Sequence, residues 1–126
     1  MINTFIEKII TEKKIYIFGD GKNIRNYLYV KDLAELMLTS LERDVHVAEI
    51  YNTSSNDTLT VNEIAAIMKK IIPETFEVVY REARQSDNSA IHLDNSKIAQ
   101  VNPGFRFTEI EEGILKTYQH IKNRQS

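Results

Sequence analysis

Two arginines are the residues of this chain best suited to hold a charged ligand. Arg25 follows the turn Gly19-Asp20-Gly21, and Arg84 follows Phe76 to Tyr80, a segment whose composition predicts a strand. Each is thereby placed at the end of an extended segment. A guanidinium presents a planar fork of N–H donors that grips phosphate oxygens through two parallel bonds, so two such groups converging from separate loops suit a pyrophosphate. Taken singly, an arginine is more often a surface residue or an ion-pair partner, and spacing alone does not choose between these roles.

Other chemistries have weaker anchors. A tyrosine with a lysine one helical turn away can serve as a general acid or base, and the chain holds two such spacings, Tyr27 with Lys31 and Tyr118 with Lys122. Both read as accidental: Tyr27 falls in a predicted strand, and Tyr118 on the apolar face of the last helix. His46, His92 and His120 lack metal-ligand spacing, so no metal site is expected. There is no cysteine and no G-x-S-x-G elbow, which leaves thiolate catalysis, cysteine-ligated zinc and the serine-hydrolase arrangement without residues. Gly19-Asp20-Gly21-Lys22-Asn23-Ile24 imitates a dinucleotide loop, but the third glycine is Ile24, and Asn26 to Val30 favours an extended segment over the required helix. The two glycines suit a hairpin-like turn better.

The elements that must position these residues follow from periodicity. Ile2, Phe5, Ile6, Ile9 and Ile10 form one face of a first helix, with a strand near Ile15 to Phe18 after it. Asp32 opens a second helix with an apolar stripe of Leu33, Leu36, Met37 and Leu41; Glu49 to Thr53 reads as a strand, and Ser54 to Asp57 as a loop. Thr60-Val61-Asn62-Glu63 has the form of a capping box, predicting a helix that Pro73 stops. Arg84 to Asn88 reads as a loop and Ser96 to Val101 as a short helix. Thr108-x-x-Glu111 reads as a second capping box, opening a helix that buries Ile110, Ile114, Leu115, Tyr118 and Ile121.

The 126 residues, 42% hydrophobic and 27% charged, are the length and balance of one globular α/β domain over 1–126. Sixteen Lys and Arg against eighteen Asp and Glu leave a formal charge of -2 without a basic run, so nucleic acid is not an expected partner. No apolar run is long enough for a membrane span and no signal pattern opens the chain, so the expected compartment is cytoplasmic.

The order of segments resembles the later part of the NAD-dependent epimerase/dehydratase family, the extended short-chain dehydrogenases that include UDP-glucose 4-epimerase. The resemblance runs through Phe5-Ile6-x-Lys8-Ile9, Ile17-x-Gly19-Asp20-Gly21-x-x-x-Arg25-x-Tyr27-x-Tyr29-Val30-x-Asp32-Leu33-Ala34 and Tyr51-Asn52. It continues through Thr60-Val61-x-Glu63-Ile64, Arg84-x-x-Asp87, Asp94-x-Ser96-Lys97 and Gly104-Phe105-x-Phe107 to Glu112-Gly113-Ile114. It implies an incomplete extended short-chain dehydrogenase: the C-terminal substrate-binding portion, with short strands and about five helices, lacking the N-terminal Rossmann half. It further implies that Arg25 contacts a substrate diphosphate, Tyr27 lies nearby, Arg84 is the second clamp, and Asp87 neighbours the nucleoside ribose. Asn26 stands where many relatives have Asp, and Ser86 where the Arg-x-Gly-Asp pattern has glycine.

The family's glycine-rich NAD loop, catalytic serine or threonine and helical Tyr-x-x-x-Lys pair lie upstream of the matching segment. The expectation is therefore a nucleotide-sugar-binding portion, for UDP- or dTDP-sugars, with no catalytic residue of its own; NAD is the cofactor of the parent family and is not expected to bind this chain alone. The alternatives are a freestanding nucleotide-binding or protein-interaction module, which includes completing an enzyme in trans with a separate Rossmann half, and a folded remnant without a ligand. Loss of that half would uncover strand edges and apolar helix faces, so self-association is expected.

Overall fold

The computed structural model describes residues 1–42, 49–55, 58–83 and 93–125. Their elements are α1 (Ile2–Glu12), β1 (Lys14–Phe18), β2 (Ile24–Asn26), α2 (Val30–Glu42), β3 (Thr58–Thr60), α3 (Val61–Ile71), β4 (Glu77–Arg81), α4 (Ser96–Val101) and α5 (Ile110–Gln125). The five helices and short strands are those of a mixed α/β fold. The strands form two small sheets. β1 runs parallel to β4, with Lys14 opposite Glu77 and Phe18 opposite Arg81, while β2 runs antiparallel to β3, with Arg25 opposite Leu59.

Helical spacing decides what is buried. Phe5, Ile6 and Ile9 of α1, Ile64 and Met68 of α3, and Ile114 and Tyr118 of α5 meet Ile15 and Ile17 of β1 in one apolar cluster. Thr60 caps α3 as its sequence predicts: its hydroxyl accepts from the Glu63 N–H at 3.2 Å, and its own N–H donates to the Glu63 carboxylate at 2.7 Å. Lys13 ends α1 in the left-handed conformation at φ 55°, and the chain enters β1 directly.

Several elements differ from their sequence reading. Gly19 and Gly21 do make a turn, at φ 78° and 71°, yet β1 and β2 are not a hairpin, because each pairs with a strand far along the chain. Turn chemistry is local, whereas strand partners are chosen by burial, which the spacing of glycines does not encode. The extended segment after the turn is shorter than read, and Val30 already belongs to α2. Residues 49–53 carry no regular structure instead of a strand, and Ser54 and Ser55 continue as the predicted loop; the Ser55 N–H donates to the Tyr27 carbonyl at 3.0 Å, and Lys97 reaches the Ile50 carbonyl at 3.0 Å. The proposed stripe of α2 is buried only at Leu36, while Met37 and Leu41 are 61% and 79% exposed. Leu115 likewise stays 37% exposed. The predicted loop at Arg84 to Asn88, and Asn56 and Asp57 of the earlier one, lie outside the described residues.

Candidate functional site

Arg25 and the β1 residues that precede the glycine turn, Tyr16 to Phe18, line a cavity of about 540 Å³. β1 delivers Phe18 to its edge, the Gly19–Gly21 turn reverses the chain, and β2 presents Arg25, while the N-terminal half of α1 supplies Phe5 and Lys8 opposite. Asp20 stiffens the turn by accepting the Lys22 N–H at 3.0 Å on its carboxylate. Arg25 is half-buried and donates to the Ile24 carbonyl at 2.9 Å. Tyr16 closes another side, its ring 5.1 Å from the Arg81 guanidinium carbon and 5.9 Å from the Lys8 ammonium. Among the described residues this space is lined by one arginine, one lysine and three aromatic rings, with no carboxylate. Such a lining favours an anion joined to a flat apolar group.

Tyr27 opens elsewhere. It lines a second cavity of about 840 Å³ between α1, α5 and the segment leading into α2. Burial, with a smaller push from Glu63 and against the pull of Arg25, drives its phenol pKa up to about 12. Its hydroxyl is buried and has no hydrogen-bond partner among the described residues. Glu7 and Glu109 share this second space with Lys31, Lys116 and Arg124, so its lining carries charges of both signs. The structure thus brings Arg25 and Tyr27 into neighbouring positions of one strand end but gives them different cavities. Arg84 and Asp87, with Ser86, lie outside the described residues, as do His46 and His92. Among the described residues no group of three His, Cys, Asp or Glu could hold a metal ion, and no helix is long and apolar enough to cross a membrane.

Three polar constellations escaped the sequence reading. Asp32 is only 5% exposed and accepts both the N–H and the hydroxyl of Thr108, each at 2.7 Å. That arrangement replaces the second capping box: Thr108 is turned to Asp32, and α5 starts at Ile110. Tyr118 and Lys122 do meet, at 2.6 Å, and both donate to Glu74, at 2.6 and 3.0 Å. Burial raises the Glu74 carboxyl, but the bonds from Tyr118 and Lys122 more than offset it and hold its pKa below the ordinary value. With Tyr118 only 4% exposed, the pair ties α5 to the turn after α3 and faces no cavity described above. Asn62 joins the glycine turn to β4 through its side-chain amide. Asp32 belonged to the resembling string, so that signal was present; nothing in the sequence marked Asn62. Asn26, the departure from the family pattern, accepts the Leu93 N–H at 3.2 Å.

Residues 1–54 match the family described as NAD dependent epimerase/dehydratase. A putative UDP-glucose 4-epimerase of Methanocaldococcus jannaschii is 31% identical over 124 residues, which are 98% of this chain and 39% of that protein. The structure of a UDP-glucose 4-epimerase with UDP-glucose from Thermotoga maritima superposes with a TM-score of 0.87 at 27% identity, covering 99% of this chain and 40% of that one. A UDP-glucuronic acid 4-epimerase from Bacillus cereus, in complex with UDP-glucuronic acid and NAD, shares the fold with a TM-score of 0.85 at 20% identity. The chain spans about two fifths of the length of the relatives it matches.

Proposed function

The chain is related to the C-terminal part of the NAD-dependent epimerases and dehydratases of nucleotide sugars, and from that premise we propose that it is the nucleotide-sugar-binding portion of such an enzyme. The cavity beside Arg25 takes the nucleotide end of the ligand. One observation carries this reading: a space that the described residues line with Arg25, Lys8 and the rings of Phe5, Tyr16 and Phe18, which puts two cations beside an aromatic wall. A diphosphate binds the guanidinium through paired charge-assisted bonds, and the aromatic wall accepts the flat base. In this reading Arg84 is the second phosphate clamp and Asp87 the neighbour of the ribose, Tyr27 lies close to the sugar end, and NAD belongs to the remainder of the enzyme. The hydride chemistry of such enzymes is the cofactor's; the part proposed for this chain is to bind and orient the sugar nucleotide.

Calorimetric titration of the chain with UDP-glucose, UDP and NAD tests this. We expect both UDP species to bind and NAD not to. Arg25→Ala should weaken UDP by about thirtyfold, the equivalent of a charged hydrogen bond worth about 2 kcal/mol. Absence of UDP binding, or equal binding by Arg25→Ala, would refute the reading.

A second reading, an interaction module, is favoured by a different feature. Val30, Met37, Leu38 and Leu41 leave one side of α2 apolar and exposed, between 61% and 79%. A face of that composition is normally covered. We propose that a second copy of this chain covers it.

A further inference from the structure

We propose that Asn62 is a positioning residue for the nucleotide cavity: it clamps the Gly19–Gly21 turn to the first turn of α3 and so sets where β2 presents Arg25. This rests on the nucleotide-binding reading of that cavity. Asn62 is the second residue of α3 and is half-buried. Its backbone N–H donates to the Gly21 carbonyl at 3.0 Å, and its side-chain Nδ2 donates to the Asp20 carbonyl at 2.9 Å. The other end of the same amide, Oδ1, accepts from the Tyr80 hydroxyl of β4 at 3.0 Å. One residue thus holds two consecutive carbonyls of the turn, Gly21 through its backbone and Asp20 through its side chain, while the same side chain holds β4 from the other end.

The fit is close. A Cβ on Gly21 would lie 2.1 Å from Asn62 Oδ1, so glycine is required at 21 for space as well as for its φ of 71°. The seam continues with the Val61 N–H donating to the Asn23 carbonyl at 3.3 Å, which brings the clamp to within two residues of Arg25. Asn62 is not acting as a helix cap, because Thr60 and Glu63 already perform that function. Its amide is turned away from α3 toward segments far along the chain.

That division of labour gives a clean substitution. Aspartate near a helix N-terminus is favourable, so Asn62→Asp should leave α3 as stable as before or more so. The same change puts a carboxylate oxygen where Nδ2 faced the Asp20 carbonyl, so the clamp is lost and the turn repelled.

The experiment titrates UDP into the wild-type chain, Asn62→Asp, Arg25→Ala and the double variant, with the thermal midpoint and the amide exchange of residues 21–25 followed in the same four proteins. We expect Asn62→Asp to bind UDP about tenfold more weakly than wild type, an interaction of ordinary size for coupled neighbours, and to cause no further loss once Arg25 is gone. Its thermal midpoint should fall only slightly, because the helix-terminus gain offsets part of the lost turn bond, and the amides of residues 21–25 should exchange faster without ligand. Two results overturn the positioning role while leaving the nucleotide reading intact: Asn62→Asp binding as well as wild type, or losses that add independently in the double variant. A wild-type chain that takes no UDP overturns the nucleotide reading and the positioning role together.

Discussion

Arg25 and Asn62 differ in how visible they are from the sequence. Arg25 stands out because it follows a glycine turn in the string that carries the family resemblance, and in the fold it lines a cavity. Asn62 is one polar residue among many on a helix, and its partners lie 42 and 18 positions away, so only the folded chain brings them together. Phe5 was read on the apolar face of the first helix, and it both joins the core and lines the cavity, since apolar periodicity does not distinguish a wall of the core from a wall of a cavity. Tyr27 supports a prediction at this scale. Its phenol ionises near pH 12 in the fold and near 10 when exposed, so between those values the unfolded chain sheds the proton first and stability falls as pH rises. Tyrosine to phenylalanine at position 27 should therefore flatten the loss of stability between pH 10 and 12 and change little at pH 7. Urea unfolding of both proteins at pH 7, 9 and 11 measures this, and a parallel decline in the two would contradict it.

Elements were legible where their signals are local. The capping box at Thr60, the stop at Pro73 and the limits of α4 were all predictable from neighbouring residues. The second box at Thr108 failed for a physical reason: the buried Asp32 carboxylate takes the Thr108 N–H that the Glu111 carboxylate of the box would have accepted, and the hydroxyl proton with it. The Asp32–Thr108 link joins the start of α2 to the approach of α5. Asp32→Ala should destabilise the chain by about 2–4 kcal/mol, the loss of two bonds to a charged acceptor, and Asp32→Asn by about half of that, since one oxygen remains to accept. Chemical denaturation gives both values, and a cost below that of an ordinary surface substitution would mean that the link is incidental. The segment 49–53 failed as a strand because composition can mark extended residues but cannot supply a neighbour for their backbone.

At the scale of the whole molecule, the exposed side of α2 is the feature on which the proposal of a second copy rests. An amphipathic stripe was readable in Leu33, Leu36, Met37 and Leu41, but its being left without cover was not, because periodicity reports a face and not its occupant. We expect concentration-dependent dimers by light scattering, and Met37→Glu with Leu41→Glu should return the chain to a monomer without lowering its thermal midpoint, since neither residue is buried. A wild-type chain that remains monomeric at high concentration would exclude this use of the face.

The parallel pairing of β1 with β4 also has a consequence for how the chain comes to be folded. Lys14 waits for Glu77 and Phe18 for Arg81, so during synthesis the first strand emerges long before its partner exists. Closing so large a loop is entropically costly, and contacts of that range form late. Early order falls to pieces that need no distant neighbour, foremost the self-capped α3, and the wall of the cavity made by β1 is completed only when the second half of the chain has left the ribosome.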